Sequence, residues 1–194
     1  MPTESLSFSL ISLIFLSLYS YPYVRGILSW KTIPHPFTFW VFFILTLINT
    51  YILYKQAYFY SLIPLAAELV LFLIYVYFGI KNFKKIKNTS WFDIICLILS
   101  IGCICILFLI GDIEAVIATI LVDTIALMPT LKKIYYQPHT EIAIMWAGSA
   151  CFFLFLLLTI DTYTWENTLF WIYLFFADAL TALYIFLSQK LKKS

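Results

Sequence analysis

The stretch LVDTIALMPTLKKIYYQPHTEIAIMW (Leu121–Trp146) decides how this chain folds. An apolar run carries one acid, Asp123, and reaches Pro129 near a helix end, where Lys132 and Lys133 follow. A Pro138-His139 turn then leads into a new apolar run with Trp146 near its start. Most of this pattern occurs about a hundred residues earlier in YPYVRGILSWKTIPHPFTFW (Tyr21–Trp40). There Pro22 closes a helix, Arg25 and Lys31 supply charge, Pro34-His35 turns the chain and Trp40 enters the next run. Two copies of one helix–basic loop–helix unit imply a duplicated membrane protein.

Composition agrees. The chain is 63% hydrophobic and 11% charged, with a mean hydropathy of +0.97. A soluble domain of 194 residues could not cover that much apolar surface with so few charges. Most of the chain lies in apolar runs near the length that crosses a bilayer core. The runs are continuous, as in ICLILSIGCICILFLI, which excludes the polar–apolar alternation of a β-barrel. Cys96, Cys103, Cys105 and Cys151 all sit inside apolar runs, so they form neither a disulfide framework nor a zinc site. No basic stripe with interleaved aromatics points to nucleic acid.

Seven spanning helices are expected, over residues 5–24, 37–54, 60–80, 91–110, 113–128, 142–160 and 169–188. The N-terminus lacks a basic region and a small-residue cleavage site and reads as the start of the first span. Ser5, Ser9 and Ser12 there follow helical spacing and allow close helix packing. With the N-terminus outside, eleven of the twelve basic residues fall on the inner side, Lys55 excepted. The loops carrying Asp112/Glu114 and Asp161/Glu166 fall outside, so basic-residue placement supports seven spans, N-out and C-in. The chain then divides as 3+1+3: residues 1–87 form a first three-helix repeat, 88–112 a linker helix and 113–194 a second repeat. An odd linker helix gives both repeats the same orientation, a parallel arrangement.

Three acids lie inside spans, at Glu68, Asp123 and Asp178. At about 1.5 Å per residue they fall near the bilayer middle, with no Lys or Arg at that depth. A buried carboxyl without a cation must be protonated, hydrogen-bonded, hydrated or matched by a bound cation. Two readings stay open: a central cavity whose acids carry a proton or meet a cationic solute, and neutral carboxyls bonding between helices. Asn49 serves packing or solute binding equally well. Pro22 and Pro129 read either as hinges of a rocking carrier or as helix terminators. His35 and His139 are expected as solvated loop histidines. Trp40 is expected at the interface, Trp146 at the interface or on a cavity wall, and Trp91, Trp165 and Trp171 in an aromatic belt.

A proline at a helix end, basic residues, a short polar turn and a second helix resemble the PQ-loop motif. The 3+1+3 plan resembles the wider PQ-loop and SWEET-like superfamily. MPTLKKIYYQPHTEIAIMW looks like a second PQ-loop with Thr130 in place of the glutamine, and YPYVRGILSWKTIPHPFTFW like the first with Tyr23 there. The chain is also similar to a group of small bacterial membrane proteins sharing the Lys-Thr-x-Pro-His…Trp loop and the Asp-x5-Pro helix end. The resemblance implies a bacterial inner-membrane location and alternating access between two three-helix bundles. It implies a sugar, amino acid or vitamin as solute, and no ATP hydrolysis.

The leading expectation is therefore a small-solute facilitator or proton-coupled carrier with no cofactor and no metal; a homo-oligomer is compatible with it. The alternative is a seven-helix receptor or accessory protein that binds a partner through its basic loops. A retinal receptor is set aside, because the last helix has no lysine before Lys190. No nucleophile motif, His/acid cluster or metal-ligand set supports an enzyme.

Overall fold

The structure, a computed structural model, describes residues 2–55, 57–86, 90–107, 112–160 and 162–191. Among the described residues seven α-helices follow one another: α1 (Pro2–Leu28), α2 (Pro36–Lys55), α3 (Phe59–Lys81), α4 (Trp91–Leu107), α5 (Asp112–Tyr136), α6 (Ala143–Leu157) and α7 (Trp165–Leu191). Single turns of 3-10 helix stand at Phe83–Lys85 and Pro138–Thr140. Five helices are long and apolar enough to cross a membrane, and α4 and α6 are shorter apolar helices. The described residues contain no strand, and their long apolar helices are those of an integral membrane protein. The expected end of the fourth helix at residue 110 lies outside the described residues, as do Asp161, Lys87, Lys192, Lys193 and the side chains of Asp112 and Glu166.

The helix-terminator reading of the two prolines is overturned. α1 continues six residues past Pro22 and α5 seven past Pro129, with both prolines inside their helices. A proline forfeits one backbone hydrogen bond and strains one turn, which the flanking turns of a long, packed helix absorb. What stops α1 is a Schellman turn: Trp30 N–H bonds Ile27 O and Lys31 N–H bonds Gly26 O, at 3.1 and 3.0 Å. Trp30 takes the left-handed conformation this turn requires, at φ 61°. Its ring lies under the Lys85 ammonium, 4.1 Å away, a cation–π contact that offsets part of the backbone cost. α2 ends in the same way through Ala57, also at φ 61°.

α6 is the other departure, at 15 residues against the 19 expected. Its last turn tightens where Thr159 and Ile160 N–H bond the carbonyls three residues back, and the Thr159 hydroxyl is tied to Ser61 on α3 at 2.6 Å.

α3 packs against both α1 and α2, and α7 against both α5 and α6. Between these two groups α1 lies on α6 and α2 on α5, while α4 rests on α5 and α2. The buried face of α3 (Ser61, Leu65, Glu68, Phe72, Tyr75, Val76, Gly79) recurs every three to four residues, the stripe of a helix with one side against protein and the other against lipid. Gly148 lets α6 approach α1: a Cβ there would stand 2.3 Å from Tyr19 Cβ. Ser9 donates to Tyr60 O at 2.6 Å, so the serine stripe of α1 faces α3.

Candidate functional site

A pinched cavity lies where α2, α5, α6 and α7 converge. α2 contributes one helical stripe, Phe39, Phe42, Leu45, Thr46 and Asn49, and α3 adds Phe72. α5 contributes Asp123; α6 contributes Met145, Trp146, Ser149 and Phe153; α7 contributes Phe170, Trp171, Leu174 and Asp178. The open space between these walls is about 30 Å3, room for water and too little for a sugar or any other organic solute.

Four of the residues singled out from sequence therefore line one cavity, each from a different helix: Asp123, Asp178, Trp146 and Asn49. Asp123 accepts a hydrogen bond from Tyr173 on α7 at 3.0 Å, and the Tyr173 hydroxyl is 2.9 Å from that of Thr124. Asp178 has Ser149 of α6 as its hydrogen-bond partner. Glu68 does not line the cavity, but its carboxyl is buried within electrostatic reach of Asp178 and Asp123 and has no hydrogen-bond partner among the described residues. The Asn49 amide is turned back onto its own helix, donating to Leu45 O at 2.8 Å.

A second polar cluster adjoins the cavity at the basic end of the bundle, sharing Trp146 with it. Lys133 of α5 is buried and forms an ion pair with Glu141, and its ammonium also donates to Ile33 O. Glu141 accepts from the Tyr23 hydroxyl of α1 at 3.2 Å and from Trp146 Nε1 at 3.4 Å. Trp146 thus belongs to both sites, its ring on the cavity wall and its N–H on the cluster. The two Pro-His loops that resemble each other in sequence meet here, Ile33 N–H bonding Thr140 O at 3.1 Å. The residue after each proline crosses to the other helix group. Tyr23 reaches Glu141, and Thr130 donates to Thr38 of α2 at 3.0 Å, which in turn donates to Ala126 O. Gln189 of α7 closes the cluster, donating to Pro138 O and Glu141 O at 2.9 Å each.

Three sequence expectations need correction. His35 is not a solvated loop histidine: it is 1% exposed and packed edge-on against Phe37 and Phe83. Burial, and after it the ammonium charges of Lys133 and Lys132, push its imidazole down to about 3, so it is neutral at physiological pH. His139 is exposed in its 3-10 turn, as expected. Trp171 is not a belt residue but lines the cavity at 4% exposure, whereas Trp91 and Trp165 are 78% and 70% exposed and Trp40 42%. Lys133 is not a surface charge of an inner loop, because α5 carries it into the bundle; Lys132, on the neighbouring face, pairs with Asp93 of α4 at 3.1 Å.

Lys133, Glu141 and Tyr23 did not stand out as site residues in the sequence, yet a signal exists. Thr119, Val122, Asp123, Ala126, Leu127, Thr130, Lys133 and Ile134 are all buried and continue one helical stripe through Pro129. Ending the helix at residue 128 cuts that stripe before the lysine. Among the described residues no group of three or more His, Cys, Asp or Glu could hold a metal ion. No family model, curated protein or solved structure matches this chain.

Proposed function

We propose that this protein is a transporter of a small polar solute, a facilitator or a proton-coupled carrier, working by alternating access. On this reading α1–α3 and α5–α7 are two like-oriented bundles joined by α4, the 3+1+3 plan of the PQ-loop and SWEET-like superfamily, with the N-terminus out and the C-terminus in. The observation that carries it is a cavity between the two groups whose wall bears two carboxyls, Asp123 and Asp178, without a basic partner among the described residues. Intramembrane acids mark solute or proton paths by default, and both of these face a cavity besides bonding a neighbouring helix. The matched packing of α3 within one group and α7 within the other supports the repeat. The bonds between the groups at the basic end, with a cavity too tight for a solute, fit a state closed on that side.

The test is current from proteoliposomes on a solid-supported membrane. Sugars, amino acids, amines and vitamins are added under an imposed pH gradient, with Asp123→Asn as control. A solute-dependent current lost in the variant supports coupled transport through Asp123. If currents and tracer uptake are both silent across the panel, a receptor or accessory protein, which the tightness of the cavity favours, replaces the transporter.

A further inference from the structure

We infer that this cavity, once widened from the closed state described above, binds a small organic cation, an amine or quaternary ammonium with a flat or apolar body and no carboxylate; the inference rests on this cavity being the solute site of an alternating-access cycle. Three observations carry it.

The wall has carboxyl groups and no basic ones. Asp123 and Asp178 line it, with Glu68 buried within electrostatic reach of them. The two lysines of α5 are engaged elsewhere, Lys133 by Glu141 and Ile33 O, Lys132 by Asp93. Each wall carboxyl accepts from a single side-chain hydroxyl, Tyr173 or Ser149, which leaves acceptor positions free on a group that offers about four. Glu68 has both oxygens unpartnered at 1% exposure.

The rest of the wall is aromatic. Phe39, Phe72, Trp146, Phe153, Phe170 and Trp171 all face the cavity. Ring faces attract cations most strongly where water is excluded, and aromatic walls with a carboxylate are the usual chemistry for holding ammonium groups.

The wall is poor in what other solutes need. A sugar requires a ring of donors and acceptors, and the neutral polar groups here are Thr46, Asn49 and Ser149. Of these, Asn49 is bonded to Leu45 O and Ser149 to Asp178. An amino acid or an acidic vitamin would bring its own carboxylate beside Asp123 and Asp178 with no cation to meet it, a repulsive placement. The solute classes the superfamily resemblance implies thus fit this wall less well than an amine does.

Calorimetry on the purified full chain in detergent tests this, with phenylethylammonium, tetramethylammonium, phenylethanol, leucine and glucose as probes. Phenylethylammonium is expected to saturate one site and tetramethylammonium to compete with it. Phenylethanol, with the same ring and no charge, is expected to bind roughly tenfold or more weakly, the worth of one desolvated charge contact. Asp178→Asn is expected to lose the same factor for the amine, and Lys132→Gln to lose none. Phenylethanol binding as tightly as phenylethylammonium in the unaltered protein, or leucine and glucose binding where the amines do not, overturns the inference whether or not the Asn variant folds. Binding and transport fail separately. Amine binding with silent flux ends the transporter reading alone, and sugar flux without amine binding ends this inference alone.

Discussion

A lysine ammonium taken out of water costs several kcal/mol, and Lys133, at 2% exposure, is held there by the Glu141 carboxylate and the Ile33 carbonyl. Removing one partner leaves the other charge stranded. Lys133→Met is therefore expected to cost about 3–5 kcal/mol in detergent melts, whereas Lys133→Met with Glu141→Leu recovers most of it. Equal loss in the single and double variants would mean that the pair is not the stabilising unit. His35 gives a pH dependence of opposite origin. Its imidazole sits at about 3 in the folded chain, against roughly 6.5 when unfolded. Between those values the unfolded chain binds the extra proton, so the stability this neutral histidine allows is complete above about pH 6.5 and falls as the pH drops toward 3. The melting temperature is expected to fall between pH 7 and pH 5, and His35→Phe, between Phe37 and Phe83, to flatten that fall. An unchanged slope in the variant would assign the pH response to other groups.

Helix ends and helix crossings decide what single side chains can reach. Because α5 runs to Tyr136 instead of stopping at Pro129, Thr130 meets Thr38 and Lys133 meets Glu141. Because α1 runs to Leu28 and closes through Trp30, the following loop lies against the second Pro-His loop. The crossing of α1 and α6 depends on Gly148, where a β-carbon would collide with Tyr19 at 2.3 Å. Gly148→Val must part the two helices and is expected to cost about 1–3 kcal/mol, as overpacking does. The same change at Gly102, where a β-carbon meets nothing within 4 Å, should cost well under that, and melts of both variants make the comparison. Equal losses would point to helix propensity, not the crossing, as the cause.

At the scale of the molecule, the two helix groups are pinned to each other at the basic end by Tyr23–Glu141, Thr130–Thr38 and Ile33–Thr140. Alternating access requires these bonds to break and the basic ends to part. The Thr38 and Thr130 hydroxyl oxygens are 3.0 Å apart, close enough for a disulfide once both are cysteine. In a background lacking Cys96, Cys103, Cys105 and Cys151, Thr38→Cys with Thr130→Cys is expected to lose solute flux on oxidation and regain it on reduction. Flux that persists in the cross-linked protein would show that the basic ends need not separate.

The sequence by itself determined that this chain is built of long apolar helices of the kind that cross a membrane, and the number of helices among the described residues. Those follow from run length, composition and the 1.5 Å rise of a helix, which are local properties. It also marked Asp123, Asp178, Trp146 and Asn49, because a polar or amphipathic side chain in an apolar run is conspicuous. Only the tertiary structure decided that these four line one cavity, that Glu68 is buried within electrostatic reach of its two acids, and that Phe153, Phe170 and Trp171 complete its wall. An aromatic residue on a cavity and one facing lipid are identical in sequence; which is which depends on the neighbouring helix. The same holds for Lys133, His35 and Glu141, which look like ordinary loop polars until two loops about a hundred residues apart close over them and remove the water.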